Sequence, residues 1–166
     1  MAVKDDLLCI ERQERSLWFD RFSEEDAWKL GCLLRDRAVD QHAPVVVDVR
    51  RFDRALFFAA LPGSVPDNSE WVRRKSNVVA RFHRSSYGFG LQLQHDGVTL
   101  ESRYGLSFTD YAVHGGSFPL LVRGIGPVGS VTVSGLPQRD DHELVVQAVC
   151  KMLGIPETDL ALPRLE

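Results

Sequence analysis

The chain has 166 residues, of which 44% are hydrophobic and 26% are charged, and its formal net charge at pH 7 is -3. These values are typical of one soluble globular domain, and we expect a single domain over residues 1–166. Nucleic acids and anionic membranes attract strongly basic surfaces, so we expect neither as a partner. No basic segment followed by an apolar run opens the chain, and no stretch approaches the roughly 20 apolar residues of a membrane span. We therefore expect a cytoplasmic protein.

The first part of the chain predicts two helices and three strands. Residues 5–15 mix leucine and isoleucine with charges, a pattern that indicates a short amphipathic helix. A strand is predicted over 17–22, and Ser23 with Asp26 then resembles a capping box that begins a helix over 24–40. After Pro44, two β-rich runs flank a tight turn and predict an antiparallel hairpin, with strands over 45–51 and 55–61.

The second part predicts two more helices and a second hairpin. A helix is expected over 69–85, with Asp67, Asn68 or Ser69 as its N-cap. Glycines interrupt residues 86–116, where only part of 87–94 is predicted to be helical. The remaining elements are strands over 118–123 and 128–134 and a last helix, which is capped by Asp140 or Asp141 and ends near Leu153 before Gly154. This order predicts an α/β fold with a five-stranded, mainly antiparallel sheet flanked by helices.

The predicted helix over 69–85 has an apolar face and a basic face. On a helical wheel, the apolar arc contains Trp71, Val72, Val78, Val79 and Phe82, and the basic arc contains Arg73, Arg74, Arg81 and Arg84. Lys75 falls inside the apolar arc, where its ammonium must reach water along the aliphatic stem, form an ion pair or face a ligand. The arginines are either a solvated face or contacts for a small anionic ligand, because guanidinium groups match carboxylate and phosphate geometry.

The last helix is apolar over more than half of its circumference, which leaves a narrow polar strip of Glu143, Gln147 and Lys151. A helix of this kind packs against more than one surface. Other helices of the chain or a neighbouring subunit could provide the second surface. We favour the neighbouring subunit, so the pattern predicts a homo-oligomer.

Histidines and cysteines form no metal-binding motif, because the sequence contains no His-x-x-x-His, His-Glu-x-x-His or Cys-x-x-Cys pattern. The three cysteines are therefore expected to be free thiols. His114 precedes Gly115 and Gly116, and paired glycines either form a simple turn or direct backbone N–H groups toward a ligand. His142 lies on the apolar side of the last helix, where it is either a hydrogen-bonded core residue or part of a site.

Several motifs in the same order resemble a known family. They are PGSVPDNSEW at 62–71, RRKSNVVARF at 73–82, SSY at 85–87, HGGSFP at 114–119 and VTVSGLPQRDDH at 131–142. Together they resemble the uncharacterised haem-degrading-domain proteins, which are relatives of GlcG, HbpS and the C-terminal module of PduO. The resemblance covers nearly the whole chain.

This resemblance implies an α+β sandwich with a profilin-like antiparallel sheet, and oligomers that pack through helices. It also implies haem binding or breakdown, which some members of the family carry out. The matching site positions are Lys75, Asn77, His114, Gly115, Gly116 and His142, to which the basic face adds Arg74 and Arg81. Haem would be noncovalent, because no Cys-x-x-Cys-His motif is present.

Three functions fit these residues, and the sequence does not decide whether the chain is an enzyme. In the first, the protein binds haem or another tetrapyrrole, with His114 as the iron ligand and Lys75 or the arginines near the propionates. His83 and His142 are alternative iron ligands. The second is a non-enzymatic oligomeric interaction module. The third is an enzyme on a small carboxylated metabolite, with His114 as general acid–base and Lys75 as anion anchor.

Overall fold

A computed structural model describes residues 2–164, and these residues form one five-stranded sheet with helices around it. The strands are β1 (Trp18–Phe19), β2 (Val46–Arg51), β3 (Arg54–Ala60), β4 (Ser117–Val122) and β5 (Gly126–Ser134). The helices are α1 (Ala2–Ser16), α2 (Glu24–Asp40), α3 (Pro66–Phe82), α4 (Ser86–Asp96), α5 (Leu100–Tyr104), α6 (Gln138–Leu153) and α7 (Glu157–Leu160). The fold class predicted from the sequence is confirmed.

The strand order is β1-β4-β5-β2-β3. Both predicted hairpins are present, and β2 also pairs antiparallel with β5, so that the two hairpins join at the centre of the sheet. Among the strand pairs of the described residues, only β1 with β4 is parallel. The sheet is therefore mainly antiparallel, as the two short turns between consecutive strands require.

The two faces of the sheet differ in chemistry. One face carries valine, leucine and phenylalanine side chains that join α2 and α6 in the main core: Val47, Val49, Phe118, Leu120, Val131 and Val133. The opposite face carries small or polar buried side chains, among them Asp48, Ser117 and Thr132. Helix α3 contacts β4 and β5 but contributes no residue to that main core. It therefore covers the polar face, where the Ser117 and Thr132 hydroxyls lie 2.8 Å apart.

The N-terminal ends of the helices show which capping predictions hold. For α2 the capping box is confirmed, because the Ser23 hydroxyl accepts from the Asp26 N–H and the Asp26 carboxylate accepts from the Ser23 N–H. For α3 the predicted caps are wrong. The helix begins at Pro66, whose fixed φ suits a first helical position, and Val65 is the N-cap. The Asn68 side chain accepts from the Val65 N–H at 2.8 Å.

Helix α6 is covered by other parts of the same chain. Its Leu144, Val146 and Val149 side chains are at most 2% exposed, and the helix packs against the sheet, α2, α4 and α7. The prediction that a neighbouring subunit covers this helix is therefore wrong. The sequence pattern identified the breadth of the apolar face, but it did not predict α7, which provides part of the cover.

The two ends of the described chain pack together. Gln13 of α1 donates from its side chain to the Leu160 carbonyl at 2.7 Å, and the Cys9 thiol donates to the Ala161 carbonyl at 3.2 Å. Leu162 packs with Ile10 in a second, smaller core. Helix α1 and the segment from 157 to 162 thus form one packed unit against α4 and α6. Within residues 2–164, no helix combines the length and apolar character needed to cross a membrane.

Candidate functional site

A polar cavity of about 220 Å³ lies where α3, the start of β4 and the start of α6 meet. Its lining includes Asn68, Trp71, Lys75, His114, Gly115 and Asp141. Three of the residues proposed from the sequence therefore line one space: Lys75 is a neighbour of His114 and Gly115, although it lies 40 residues before Gly115. We refer to this space as the polar cavity.

Lys75 lines the polar cavity and is only 2% exposed. Its ammonium donates to the Gly115 carbonyl at 2.9 Å, to the Val133 carbonyl at 2.7 Å and to the Asp141 carboxylate at 3.2 Å. An ammonium has three N–H donors, and these three acceptors use all of them. Of the alternatives left open by the sequence, the structure therefore favours the ion pair, and Lys75 has no free donor for a ligand.

Asp141 is the partner that the sequence did not assign to Lys75. It lies in the first turn of α6, and its carboxylate also accepts from the Gly135 N–H at 3.3 Å and the Leu136 N–H at 3.0 Å. The prediction of Asp140 or Asp141 as N-cap is wrong, because the helix begins at Gln138 and the carboxylate reaches back to the preceding turn. Burial raises the pKa of Asp141 and lowers the pKa of Lys75, and the opposite charge counteracts each shift.

The paired glycines allow close packing around the Lys75 ammonium. Gly116 has φ 128°, and a Cβ there would lie 2.3 Å from the Val133 carbonyl oxygen and 2.5 Å from Lys75 Nζ. A Cβ on Gly115 would lie 2.0 Å from the Gln138 carbonyl oxygen at the start of α6. Since the Gly115 N–H points to the Gln138 side chain at 3.3 Å, the glycines serve packing between elements. They do not form an open row of donors for a ligand.

His114 is half-buried on the wall of the polar cavity, with its ring packed edge-on against other aromatic rings. The centroid distances are 4.9 Å to Trp71 and 5.9 Å to Phe108. Its Nδ1 is buried and has no hydrogen-bond partner among residues 2–164. Burial, together with the positive charges of Lys75 and Arg74, lowers the pKa of His114. The imidazole is therefore neutral at pH 7, the form that ligates metals or acts as a base.

An apolar cleft of about 350 Å³ lies on the other side of His114, between α4, α5 and the segment that precedes β4. Most of its lining is apolar or aromatic: Leu93, Val98, Leu100, Leu106, Phe108, Tyr111 and Val113, with His114 at one end. The sequence left this region largely unassigned, because the glycines between 86 and 116 break the helical pattern into pieces. We refer to this space as the apolar cleft.

Two of the four arginines of the predicted basic face have structural partners, and one of these, Arg84, lies beyond the end of α3. Arg73 donates to the Glu70 carboxylate at 3.0 Å, and Arg84 donates to the Glu14 carboxylate at 3.3 Å. These pairs offset the charges of both guanidinium groups: the Arg73–Glu70 pair lies within α3, and the Arg84–Glu14 pair joins the segment after α3 to α1. For Arg73 and Arg84, the structure thus favours the solvated face over a ligand contact, because acidic residues of the protein balance their charges.

Arg74 and Arg81 instead lie over aromatic rings. The Arg74 guanidinium carbon is 4.3 Å from the Trp71 ring centroid and 5.0 Å from that of Phe108. The Arg81 guanidinium carbon is 5.8 Å from the Tyr111 ring centroid. Since Phe108 and Tyr111 line the apolar cleft, each guanidinium lies against a residue of the cleft wall.

Other proposed residues lie outside the linings of both the polar cavity and the apolar cleft. His142 is completely buried, and its Nε2 lies 2.8 Å from Gln13 Oε1. Asn77 donates from its side chain to the Asp110 carbonyl at 2.9 Å, which fixes the segment before β4 on α3. His83 is exposed at the end of α3. His114 is thus the one histidine of the three proposed iron ligands that lines these spaces. In the described part of the chain, no group of three or more His, Cys, Asp and Glu side chains could hold a metal ion.

Comparison with known proteins identifies the family. The family model described as "Haem degrading protein HbpS-like" matches residues 22–150. The chain belongs to this HbpS-like family. A UPF0303 protein of Acidobacterium capsulatum is 54% identical over 99% of both chains, and a UPF0303 protein of Burkholderia thailandensis is 53% identical over 99% of both. Helix α1 and helix α7 lie outside the matched range. The family resemblance read from the sequence motifs is confirmed.

Solved structures share the HbpS-like fold. The structure of the Ybr137w protein has a TM-score of 0.82 and 28% identity, and the match covers 89% of this chain and 87% of that one. The structure of HbpS has a TM-score of 0.63 with 22% identity over 81% of this chain and 91% of that one. A PduOC:Heme complex has a TM-score of 0.66 with 21% identity over 78% and 93%. At these lower identities the likeness concerns the fold.

Proposed function

We propose that this chain binds haem or a closely related tetrapyrrole noncovalently in the apolar cleft, with His114 as the iron ligand. One observation carries the proposal: the neutral imidazole of His114 lines a cleft with apolar walls. Membership of the HbpS-like family and the shared fold of the PduOC:Heme complex support it. We assign binding, and no reaction, to the site.

The residues present fit this group. The cleft volume of about 350 Å³ lies at the lower end of the roughly 300–1,000 Å³ that is usual for ligand pockets, so the cleft would enclose one part of a macrocycle. Its leucine, valine and aromatic walls suit a flat apolar macrocycle, and a neutral histidine is a common axial ligand of haem iron. When bound, haem would supply redox chemistry at its iron. The chain's own part is to hold the iron through His114 and to shield the macrocycle from water.

The geometry weighs against the small-metabolite enzyme. That alternative needs Lys75 as an anion anchor, but the Lys75 donors already bind Gly115, Val133 and Asp141. Recruiting the ammonium for a substrate would leave Asp141 buried without its counter-charge, which is costly. His114 alone does not define a substrate site.

A titration with haem tests the proposal. We expect the wild-type protein to give a Soret band distinct from that of free haem, and we expect His114→Ala to weaken haem binding by about tenfold or more, because the iron loses its protein ligand. The measurement is the absorbance spectrum across a haem titration, with thermal unfolding to show that the variant is folded.

The matched control for this titration is His83→Asn. His83 was an alternative ligand, and it has φ 57°, a left-handed conformation that asparagine tolerates. This variant removes an exposed imidazole without backbone strain, and it should bind haem like the wild type. Wild-type protein without a distinct Soret band, or equal binding by His114→Ala and wild type, would contradict the proposal.

We also propose that the chain self-associates through the edge strand β3. Within residues 2–164, this strand pairs only with β2 and so has one unpaired edge. Phe58 on β3 is 53% exposed, and Trp28 of α2 is 58% exposed and packs edge-on against the neighbouring Phe57 at 5.4 Å. An exposed strand edge with aromatic side chains favours pairing with another chain.

Light scattering coupled to size exclusion tests the self-association. We expect a dimer or larger assembly for the wild type, and a smaller species for Phe58→Lys, because a charge at this position opposes burial of the edge. Ile125→Lys is the control, since Ile125 is 75% exposed in the turn between β4 and β5. A wild-type monomer at high protein concentration would refute this proposal.

A further inference from the structure

Arg74 stands between the two spaces on either side of His114. Its guanidinium lies over Trp71, which lines the polar cavity, and over Phe108, which lines the apolar cleft. The same two rings flank His114, with centroid distances of 4.9 Å from Trp71 and 5.9 Å from Phe108, so Arg74 and His114 are close. Arg74 is therefore placed beside the site proposed for the macrocycle.

Among the described residues, Arg74 forms no ion pair with a carboxylate. Its Nε donates only weakly, to the Glu70 backbone carbonyl at 3.4 Å. The neighbouring Arg73, by contrast, pairs with both Glu70 and Asp110. A guanidinium stacked on rings keeps its in-plane N–H donors, and these match the two oxygens of a carboxylate. The Arg74 donors are therefore available to an acidic group of a ligand.

The other cations near the site are less suited to this role. Lys75 is buried with all its donors used. Arg81 is exposed, and its guanidinium lies 5.8 Å from Tyr111 and 5.9 Å from Phe82, farther from its rings than Arg74 is from Trp71 or Phe108. Two close rings also restrict the Arg74 side chain before a ligand arrives, which reduces the entropy lost on binding.

We infer that Arg74 binds a carboxylate of the ligand in the apolar cleft, so that the site selects tetrapyrroles with free carboxyl groups over their esters. This inference rests on the proposed tetrapyrrole binding and adds to it a specificity-determining residue. Arg74, rather than Lys75, is the anion contact of the site. The iron ligand and the carboxylate contact are then separate, because His114 and Arg74 bind different parts of one molecule.

Iron-free protoporphyrin IX and its dimethyl ester test the inference, because neither depends on ligation of iron. The wild type, Arg74→Gln and Arg81→Gln are titrated with each compound, and binding is followed by the fluorescence of the porphyrin. We expect the wild type to bind the acid about tenfold or more tightly than the ester, as a charge-assisted bidentate contact implies. Arg74→Gln should bind both compounds with the affinity that the wild type has for the ester.

Arg81→Gln is the matched control, because it removes the same charge from the same helix beside the same cleft. It should keep the preference for the acid. Equal binding of acid and ester by the wild type, an unchanged preference in Arg74→Gln, or an equal loss in Arg81→Gln would overturn the inference. If haem still binds through His114 in those cases, the proposed function survives. If the wild type binds neither haem nor protoporphyrin, the proposed function fails and the inference fails with it.

Discussion

Replacing Lys75 by methionine should destabilise the protein by about 3–5 kcal/mol, which is the usual cost of removing one member of a buried ion pair. Methionine fills similar space, but it leaves the Asp141 carboxylate buried with only the Gly135 and Leu136 N–H groups. The Gly115 and Val133 carbonyls also lose a donor. Urea denaturation followed by circular dichroism measures the free energy of unfolding.

Lys29→Met is the control for this substitution, because the same chemical change is made at an exposed position of α2. Surface substitutions of this kind usually change stability by no more than about 0.5 kcal/mol. A loss of under about 1 kcal/mol for Lys75→Met would mean that the Lys75–Asp141 pair does not hold α3 to α6 as the geometry indicates.

Acidification should destabilise the fold through His142. Gln13 donates through its amide nitrogen to the Leu160 carbonyl, so its oxygen faces His142 and accepts from Nε2–H. Nδ1 is then unprotonated, and it is buried without an acceptor that a proton there could use. Burial accordingly lowers the pKa of His142 from 6.5 to about 3.

The sign follows from proton binding in the two states. Between pH 6.5 and about 3, the unfolded chain binds a proton at His142 and the folded chain does not. Stability due to this residue is therefore complete above pH 6.5 and falls by about 1.4 kcal/mol per pH unit below it, or about 2 kcal/mol at pH 5. Unfolding free energies measured in urea at pH 7 and pH 5 give the slope.

His142→Gln separates this residue from the other titrating groups, because glutamine can still donate to Gln13 but does not titrate. The variant should be less stable than wild type at pH 7, yet lose less stability on going to pH 5. Parallel pH profiles for variant and wild type would show that His142 is not the source of the acid sensitivity.

Local patterns were sufficient to predict most of the fold. Alternating β-rich runs around short turns identified both hairpins, and Ser23 with Asp26 identified the start of α2. The start of α3 was missed because three polar residues, Asp67, Asn68 and Ser69, are all good N-caps, and Pro66 decides between the alternatives. Strand β1 is shorter than predicted, since its pairing with β4 covers only Trp18 and Phe19.

The site was predicted in part. The position of Lys75 within an apolar arc left exposure along its stem, an ion pair and a ligand contact open, because Asp141 is 66 residues away and no periodicity connects the two. The cleft could not be inferred, because its walls come from α4, α5 and a loop whose packing depends on tertiary contacts. A glycine in a sequence can indicate that another group lies close to its backbone, but it does not identify that group. The close packing of Gly116 against Lys75 therefore could not be predicted from the sequence.

The docking of α1 onto the segment from 157 to 162 also constrains the order of folding. The hydrogen bond between Gln13 and Leu160 spans 147 residues, so this contact forms only after residue 160 has been synthesised. Contacts of such sequence separation form late and slow a folding reaction. Helix α1 can pack against α4 before that point, but its contacts with the segment from 157 to 162 form only afterwards, as a late step of folding.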